Sequence, residues 1–219
     1  MTKKFEQDII KKRPEPLKKL DQVYMGYNSL VRTCSYLKKF VKYKGVLLVG
    51  DDDLVSLHFS KNCAPKNITV LDIDLRILKH IETNARNYGL NVDVLKYNVL
   101  SALPKKLLES YDFFYTNPPF GKNNLGDSCK AFILRGIESI RVGGYGAFII
   151  ASDSVGGWAR VAKERTFKFV KECGCEIVDK QENFQKYINN DIISSLYIIR
   201  KNENLKVLNE FLKGINLYD

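Results

Sequence analysis

VLLVGDDD, residues 46–53, is four apolar residues, a glycine and three carboxylates in a row. The apolar run is too short for a helix and has the length of a strand buried on both faces. The glycine after it lets the backbone approach a ligand closely. A second strand, Ile68–Asp72, ends in an acid 22 residues after Gly50. A carboxylate about 20 residues past a glycine turn is placed to accept both hydroxyls of a ribose.

Working outward, strands and helices alternate. A helix is expected at about Leu54–Lys61, and another where Leu75, Leu78, Ile81 and Ala85 recur, ending near Gly89. Val92–Tyr97, Asp112–Thr116 and Tyr145–Ala151 read as strands, with helices at about Ser128–Arg141 and Trp158–Cys173. Gly143-Gly144 reads as a helix cap before the next strand. Two closing strands, Glu176–Asp179 and Ile192–Arg200, have no helix between them. Alternation implies a parallel sheet covered on both faces, and the closing pair implies an antiparallel edge. The expected fold is therefore α/β and Rossmann-like. Its mostly parallel seven-stranded sheet with an antiparallel C-terminal edge is the layout of the class I methyltransferase superfamily, which aminopropyltransferases share.

Upstream, residues 1–26 are polar, with Arg13-Pro14-Glu15-Pro16 as a stiff connector. Leu30, Val31, Cys34, Leu37 and Val41 then recur at helical spacing. The net charge of +10 is concentrated here: residues 1–44 hold 12 of the 35 Lys/Arg and 4 of the 25 Asp/Glu, a net +8. The chain thus divides into a basic N-terminal segment, 1–44, and a near-neutral catalytic domain, 45–219. A basic segment can steer a chain to nucleic acid, but here only weak, sequence-independent association is expected. Five scattered cysteines and two histidines offer no zinc tetrahedron, so the thiols read as reduced and structural, with no metal. With no signal-type run and no apolar stretch approaching the ~20 residues of a membrane span, the chain reads as cytoplasmic. A homodimer is carried as an expectation.

In sheets of this kind the ligand sits at the carboxyl ends of the strands, where strand order reverses. Gly50, Asp51, Asp52, Asp72 and Asn98 fall at such ends, with Asn98 placed to meet an adenine edge. The acid run Asp51–Asp53 would repel the carboxylate of S-adenosylmethionine; decarboxylated S-adenosylmethionine keeps only an ammonium there. Downstream, the strand Asp112–Thr116 leads into Asn117-Pro118-Pro119-Phe120, a rigid turn. It aims the Asn117 amide and the Pro118 carbonyl toward the sulfonium, while Phe120 offers a face to a ring or a cation. Sulfonium is already an excellent leaving group, so an aspartate at the site, Asp53, suffices to take the amine's proton. Pro119 completes the turn. Gly121–Asp127 forms a polar loop able to close over an acceptor, and Trp158 reads as packing.

Arg13-Pro14 with Asp21-Gln22, Val49 to Leu54, Asp72-Ile73-Asp74-Leu75-Arg76, Leu103-Pro104 and Phe132 to Gly136 resemble the branched-chain polyamine synthases. Those enzymes, N4-bis(aminopropyl)spermidine synthases, move aminopropyl groups to the secondary amine of spermidine. The resemblance runs from about Arg13 to Arg200. It implies a donor site from Gly50 to Asp53, Asp72, Ile73 and Asp74, with Gln22 and Tyr24 nearby. It also implies a polyamine acceptor made first tertiary and then quaternary. The family carries a further N-terminal domain, and Asp-Pro-Pro where this chain has Asn117-Pro118-Pro119. The Asn form resembles amino-methyltransferases, whose Asn binds a planar NH₂. Methyl transfer from S-adenosylmethionine to a nucleobase or protein amide is the alternative reading.

Overall fold

The computed structural model of the chain describes residues 5, 9–205 and 212–218. β1 (Gly45–Val49) is buried along its whole length because its side chains alternate between two apolar layers. Val46 and Leu48 face one layer, with α1 (Tyr27–Val41), α2 (Val55–Asn62) and α3 (Leu75–Tyr88). Leu47 and Val49 face the other, with α4 (Asp127–Ser139) and α5 (Gly157–Glu172). A period of two across two buried faces is why the strand reads as an unbroken apolar run.

β1 pairs in parallel with β2 (Asn67–Asp72) on one side and β4 (Tyr111–Thr116) on the other. With β3 (Val92–Lys96), β5 (Ile140–Ala151), β6 (Cys175–Tyr187) and β7 (Asn190–Lys201), the sheet order is β3-β2-β1-β4-β5-β7-β6. β7 runs antiparallel to both β5 and β6. Strand order reverses between β1 and β4, and the crevice outside their carboxyl ends is where such sheets hold ligands. Among the described residues no helix is long and apolar enough to cross a membrane.

Three expectations need correction. Gly143-Gly144 does not cap a helix: α4 ends at Ser139 and β5 begins at once, with the β4–β5 register slipping between Tyr111 and Phe113. Gly143 takes φ +82°, and a Cβ on Gly144 would stand 2.8 Å from the Arg141 carbonyl. The two glycines serve the irregular start of a strand. β6 is far longer than Glu176–Asp179 because the sheet's rim leaves much of it in water, so its continuation carries polar residues and no apolar signal. Finally, residue 44 marks a boundary in charge and not in packing. Ile9, Leu30, Leu37 and Val41 belong to the same apolar layer as Val46, and Met25 makes an antiparallel bridge to Tyr187 at the end of β6.

Phe114 joins the sheet to α4. Its ring lies over Gly136 and Gly146, where an added Cβ would come within 2.3 Å and 2.0 Å of it. Gly146→Ala is therefore expected to lower stability by about 1–3 kcal/mol, the usual cost of forcing atoms into a packed core. Phe114→Leu in the same chain should recover part of the lost Tm. If Gly146→Ala melts with the wild type, the ring does not occupy that space.

Candidate functional site

The carboxyl ends of four of the five parallel strands, β3, β2, β1 and β4, are fastened together by bonds that continue the sheet. Gly50 N–H donates to the Leu71 carbonyl at 2.7 Å, Tyr97 N–H to that of Asp72 at 2.8 Å, and the Thr116 hydroxyl to that of Val49 at 2.6 Å. Gly50 has φ +74°, and a Cβ there would lie 3.3 Å from the Phe132 ring, so glycine serves both the turn and the close approach. The Asp72 carboxylate accepts from Asp51 N–H at 3.0 Å and Asp74 N–H at 2.8 Å, one bond per oxygen. Each oxygen keeps a lone pair for a hydroxyl from outside, and Asp72 lines the cavity.

The three consecutive carboxylates do not form one cluster. Asp51 turns inward and accepts from Val55 N–H at 2.7 Å and Ser56 N–H at 3.1 Å, closing the start of α2. Asp53 accepts from Met25 N–H at 2.6 Å and the Asn117 amide at 2.7 Å. Asp52 alone of the three lines the cavity. A turn whose last residue, Leu54, takes φ +61° sends them apart. Burial pushes all three carboxyls above the ordinary range. At Asp52 the charges of Asp53 and Asp72 push the same way, and Arg13 pulls back.

Residues 13–26 strap across these strand ends. The Arg13 guanidinium lies 3.5 Å over the Tyr24 ring and donates to the Asp52 carbonyl at 3.2 Å, while Tyr24 donates to the Pro14 carbonyl at 2.6 Å. Gln22 accepts from Leu17 N–H at 2.8 Å and donates to Asp74 at 3.1 Å. Asp74 opens α3 and pairs with Arg76 at 2.6 Å. Burial works against ionisation of Asp74, but the bonds from Arg76 and Gln22 and the charge of Arg76 hold its carboxyl below the ordinary value. Of these residues Gln22 reaches the cavity, whereas Tyr24 and Asp74 stand behind it.

The cavity, about 250 Å³, has an apolar wall of Leu71, Ile73, Tyr97, Val99 and Phe132 on the β2–β3 side. Asn98 is not part of it: its side chain points to solvent and accepts from Leu100 N–H at 3.0 Å, and its neighbours Tyr97 and Val99 do the lining. Opposite stands the turn Asn117-Pro118-Pro119-Phe120, all four lining. The Asn117 amide is oriented at both ends, donating to Asp53 and accepting from the Tyr187 hydroxyl at 3.1 Å. Burial first, and then the charge of Asp53, push the Tyr187 phenol up, so it stays protonated and able to donate.

Tyr187, Trp158 and Tyr218 line the cavity although sequence reasoning gave them no role. Tyr187 lies in the polar stretch of β6 where no pattern announced a strand. Trp158 does start a helix, as expected, and also faces the site. Tyr218 is brought in by the C-terminal residues, whose Asn216 and Leu217 carbonyls accept from Asn124 at 2.8 Å and Ser128 at 2.6 Å. Burial and the neighbouring Asp72, Asp21 and Asp52 push its phenol up to about 12.

Residues 1–211 match the family model described as branched-chain polyamine synthase A C-terminal domain. An N(4)-bis(aminopropyl)spermidine synthase of Thermococcus kodakarensis is 30% identical over 188 residues, 83% of this chain and 51% of that protein. The chain spans about half the length of the curated relatives it matches. The branched-chain polyamine synthase of Thermus thermophilus, solved with N4-aminopropylspermidine and 5'-methylthioadenosine, superposes with a TM-score of 0.83. It is 23% identical, over 99% of this chain and 67% of that one. An N-methyltransferase of Bradyrhizobium japonicum shares the fold at TM-score 0.59 and 17% identity, over 81% of this chain and 98% of its own.

The raised Asp52 carboxyl has a consequence for stability. The folded chain holds that proton more tightly than the unfolded chain. The associated stabilisation is complete below the unfolded value of about 3.9 and is lost as pH rises through the folded value. Asp52→Asn removes this loss, so its Tm should exceed the wild type's by more at about pH 8 than at about pH 4. An offset independent of pH would place Asp52 in solvent.

Proposed function

The chain belongs to the branched-chain polyamine synthase A C-terminal domain family, and from that premise we propose that it transfers an aminopropyl group from decarboxylated S-adenosylmethionine to an amine of a polyamine. The observation that carries this reading is the charge of the cavity. Asp21, Asp52 and Asp72 line it against one cation, Lys122, together with the carbonyl-bearing turn Asn117-Pro118. Such a lining favours ligands that bring ammonium groups and disfavours those that bring a carboxylate.

The residues present suit such a donor. Gly50 admits backbone contact, Asp72 has a free lone pair on each oxygen for the ribose, and Leu71, Ile73, Tyr97, Val99 and Phe132 offer an apolar slot for a purine. Once bound, the donor supplies a carbon activated by a sulfonium. The protein then has two tasks. Asn117 and Pro118 present carbonyl oxygens that accept N–H bonds and so hold the acceptor amine with its lone pair in line. Asp52, raised above the ordinary range and facing the cavity, takes the proton the amine must shed. Asp53, the sequence-based candidate for that task, is instead committed to Met25 and Asn117 and acts by orienting the turn.

Methyl transfer to a planar amine is the second reading. It is favoured by the Asn-Pro-Pro-Phe form of the turn and by an asparagine amide fixed at both ends.

Incubation with each donor separately, reading the thioether nucleoside released, decides between them. Methylthioadenosine release that requires a polyamine is expected; S-adenosylhomocysteine release instead would establish methyl transfer. A carboxylate ~4 Å from Asp52 costs about 4 kcal/mol at an effective dielectric near 20, less when partly solvated. The decarboxylated donor should therefore bind at least about tenfold more tightly than S-adenosylmethionine. Asp52→Asn should narrow that gap and lower kcat, whereas Asp51→Asn should leave the gap as it is, because Asp51 faces α2.

A further inference from the structure

The lining of the cavity changes character along the sheet. Its carboxylates, Asp21, Asp52 and Asp72, come from the strap and from the ends of β1 and β2. Beyond β4 the described lining residues include no carboxylate. Three aromatic rings stand there, each supplied by a different element. Phe120 closes the turn after β4, Trp158 lies at the start of α5, after β5, and Tyr187 ends β6. The Phe120 and Tyr187 rings are 6.0 Å apart between centroids and meet at 79°, two walls of a corner. Lys122, the one cation of the lining, is exposed two residues past Phe120, where water and salt screen it.

A corner of rings recognises a particular kind of cation. Nitrogen bonded to three or four carbons is sheathed in C–H groups and offers one N–H or none. Carboxylates and carbonyls therefore cannot bond it as they bond a primary ammonium. A ring face attracts its diffuse charge and needs no hydrogen.

We propose that Phe120, Trp158 and Tyr187 form an aromatic box for an alkylated nitrogen, so that the site accepts a tertiary amine and holds the quaternary ammonium made from it. This rests on the reading of the cavity as a polyamine site. In such a transfer the amine lone pair forms the new N–C bond, and the C–S bond breaks with its electron pair going to sulfur. Positive charge passes from sulfur to nitrogen and no proton is shed. Asp52 then has nothing to accept, and the rings meet the charge where it arrives. With a secondary amine, the Asn117 and Pro118 carbonyls and Asp52 share that task. The box therefore matters most for the more substituted acceptor.

The chain has one tryptophan, so fluorinated analogues supplied during expression alter Trp158 alone. Fluorine draws negative charge off the ring face while leaving its shape nearly unchanged. Affinity for choline, measured by calorimetry, should fall stepwise from unsubstituted to mono-, di- and trifluorinated Trp158, by about tenfold in all. Ethanolamine, which carries a primary ammonium on the same two-carbon alcohol, engages the acids and should change by less than about twofold. No binding of choline, a flat series, or equal losses for both ligands overturns the proposal. In kinetics, Trp158→Leu should raise KM about tenfold for a tertiary acceptor, N4-aminopropylspermidine, and about twofold for spermidine. Trp158→Phe, which keeps a ring face, should restore most of the difference. An equal rise for the two acceptors also overturns the proposal. A graded choline series in a protein that releases no methylthioadenosine with any polyamine would refute the polyamine reading and leave the box standing. Release of methylthioadenosine with a flat choline series would refute the box alone.

Discussion

The buried carboxylate of Asp53 is the knot on which the site depends. It is 2% exposed, and a carboxylate so far from water must be met by donors or give up its charge. The donors it finds, Met25 N–H and the Asn117 amide, belong to segments that nothing in the local chain would bring together. Satisfying one carboxylate thus fixes the strap of residues 13–26 against the turn after β4 and leaves the β1 loop between them. The same economy operates next door. Asp51 fastens the loop to α2, and Asp72 fastens it to β2. Of the three consecutive acids, Asp52 alone is then left to face the cavity.

Where burial was symmetric, the sequence was a sufficient guide. β1 is apolar from Val46 to Val49 because both its faces are covered, and Gly50 follows it at φ +74°, the left-handed backbone that favours glycine. The acid run was misread as a single patch for a reason that periodicity cannot reveal. Three consecutive side chains share a direction only in unusual backbone, and the tight turn ending at Leu54, at φ +61°, disperses them. Asn98 failed differently: a polar residue after a strand serves a turn or a ligand equally well, and here it holds Leu100. Tyr187 could not have been found. Its strand lies at the edge of the sheet with much of its surface wet, so its pattern is that of a loop until the partner β7 is seen. The family resemblance pointed to residues on and around the cavity but could not divide them into those that line it, such as Gln22, Asp52 and Asp72, and those that stand behind it, such as Tyr24, Asp53 and Asp74.

The N-terminal segment shows how charge can mislead about architecture. Its net +8 suggests an arm directed at an external polyanion. Within the fold, Arg13 is occupied with Asp52 and Tyr24, and Arg76 of α3 reaches the Glu15 carbonyl. Part of the basic excess therefore faces the acids of the chain's own cavity and lowers the cost of gathering them.

The bridge between Met25 and Tyr187 also bears on the order in which the molecule comes into being. Bonds such as that from Gln185 to Thr33 join positions 152 residues apart. Closing so long a loop carries an entropic cost that local contacts do not. A chain emerging from the ribosome can assemble β1 to β5 and their helices, and dock Arg13, Gln22 and Met25 on Asp52, Asp74 and Asp53, before β6 follows to pair with Met25. The cavity is then completed by contacts between residues distant in sequence, Met25 with Tyr187 and Thr33 with Gln185. Until β6 arrives, the Asn117 carbonyl lacks the Tyr187 hydroxyl that orients it.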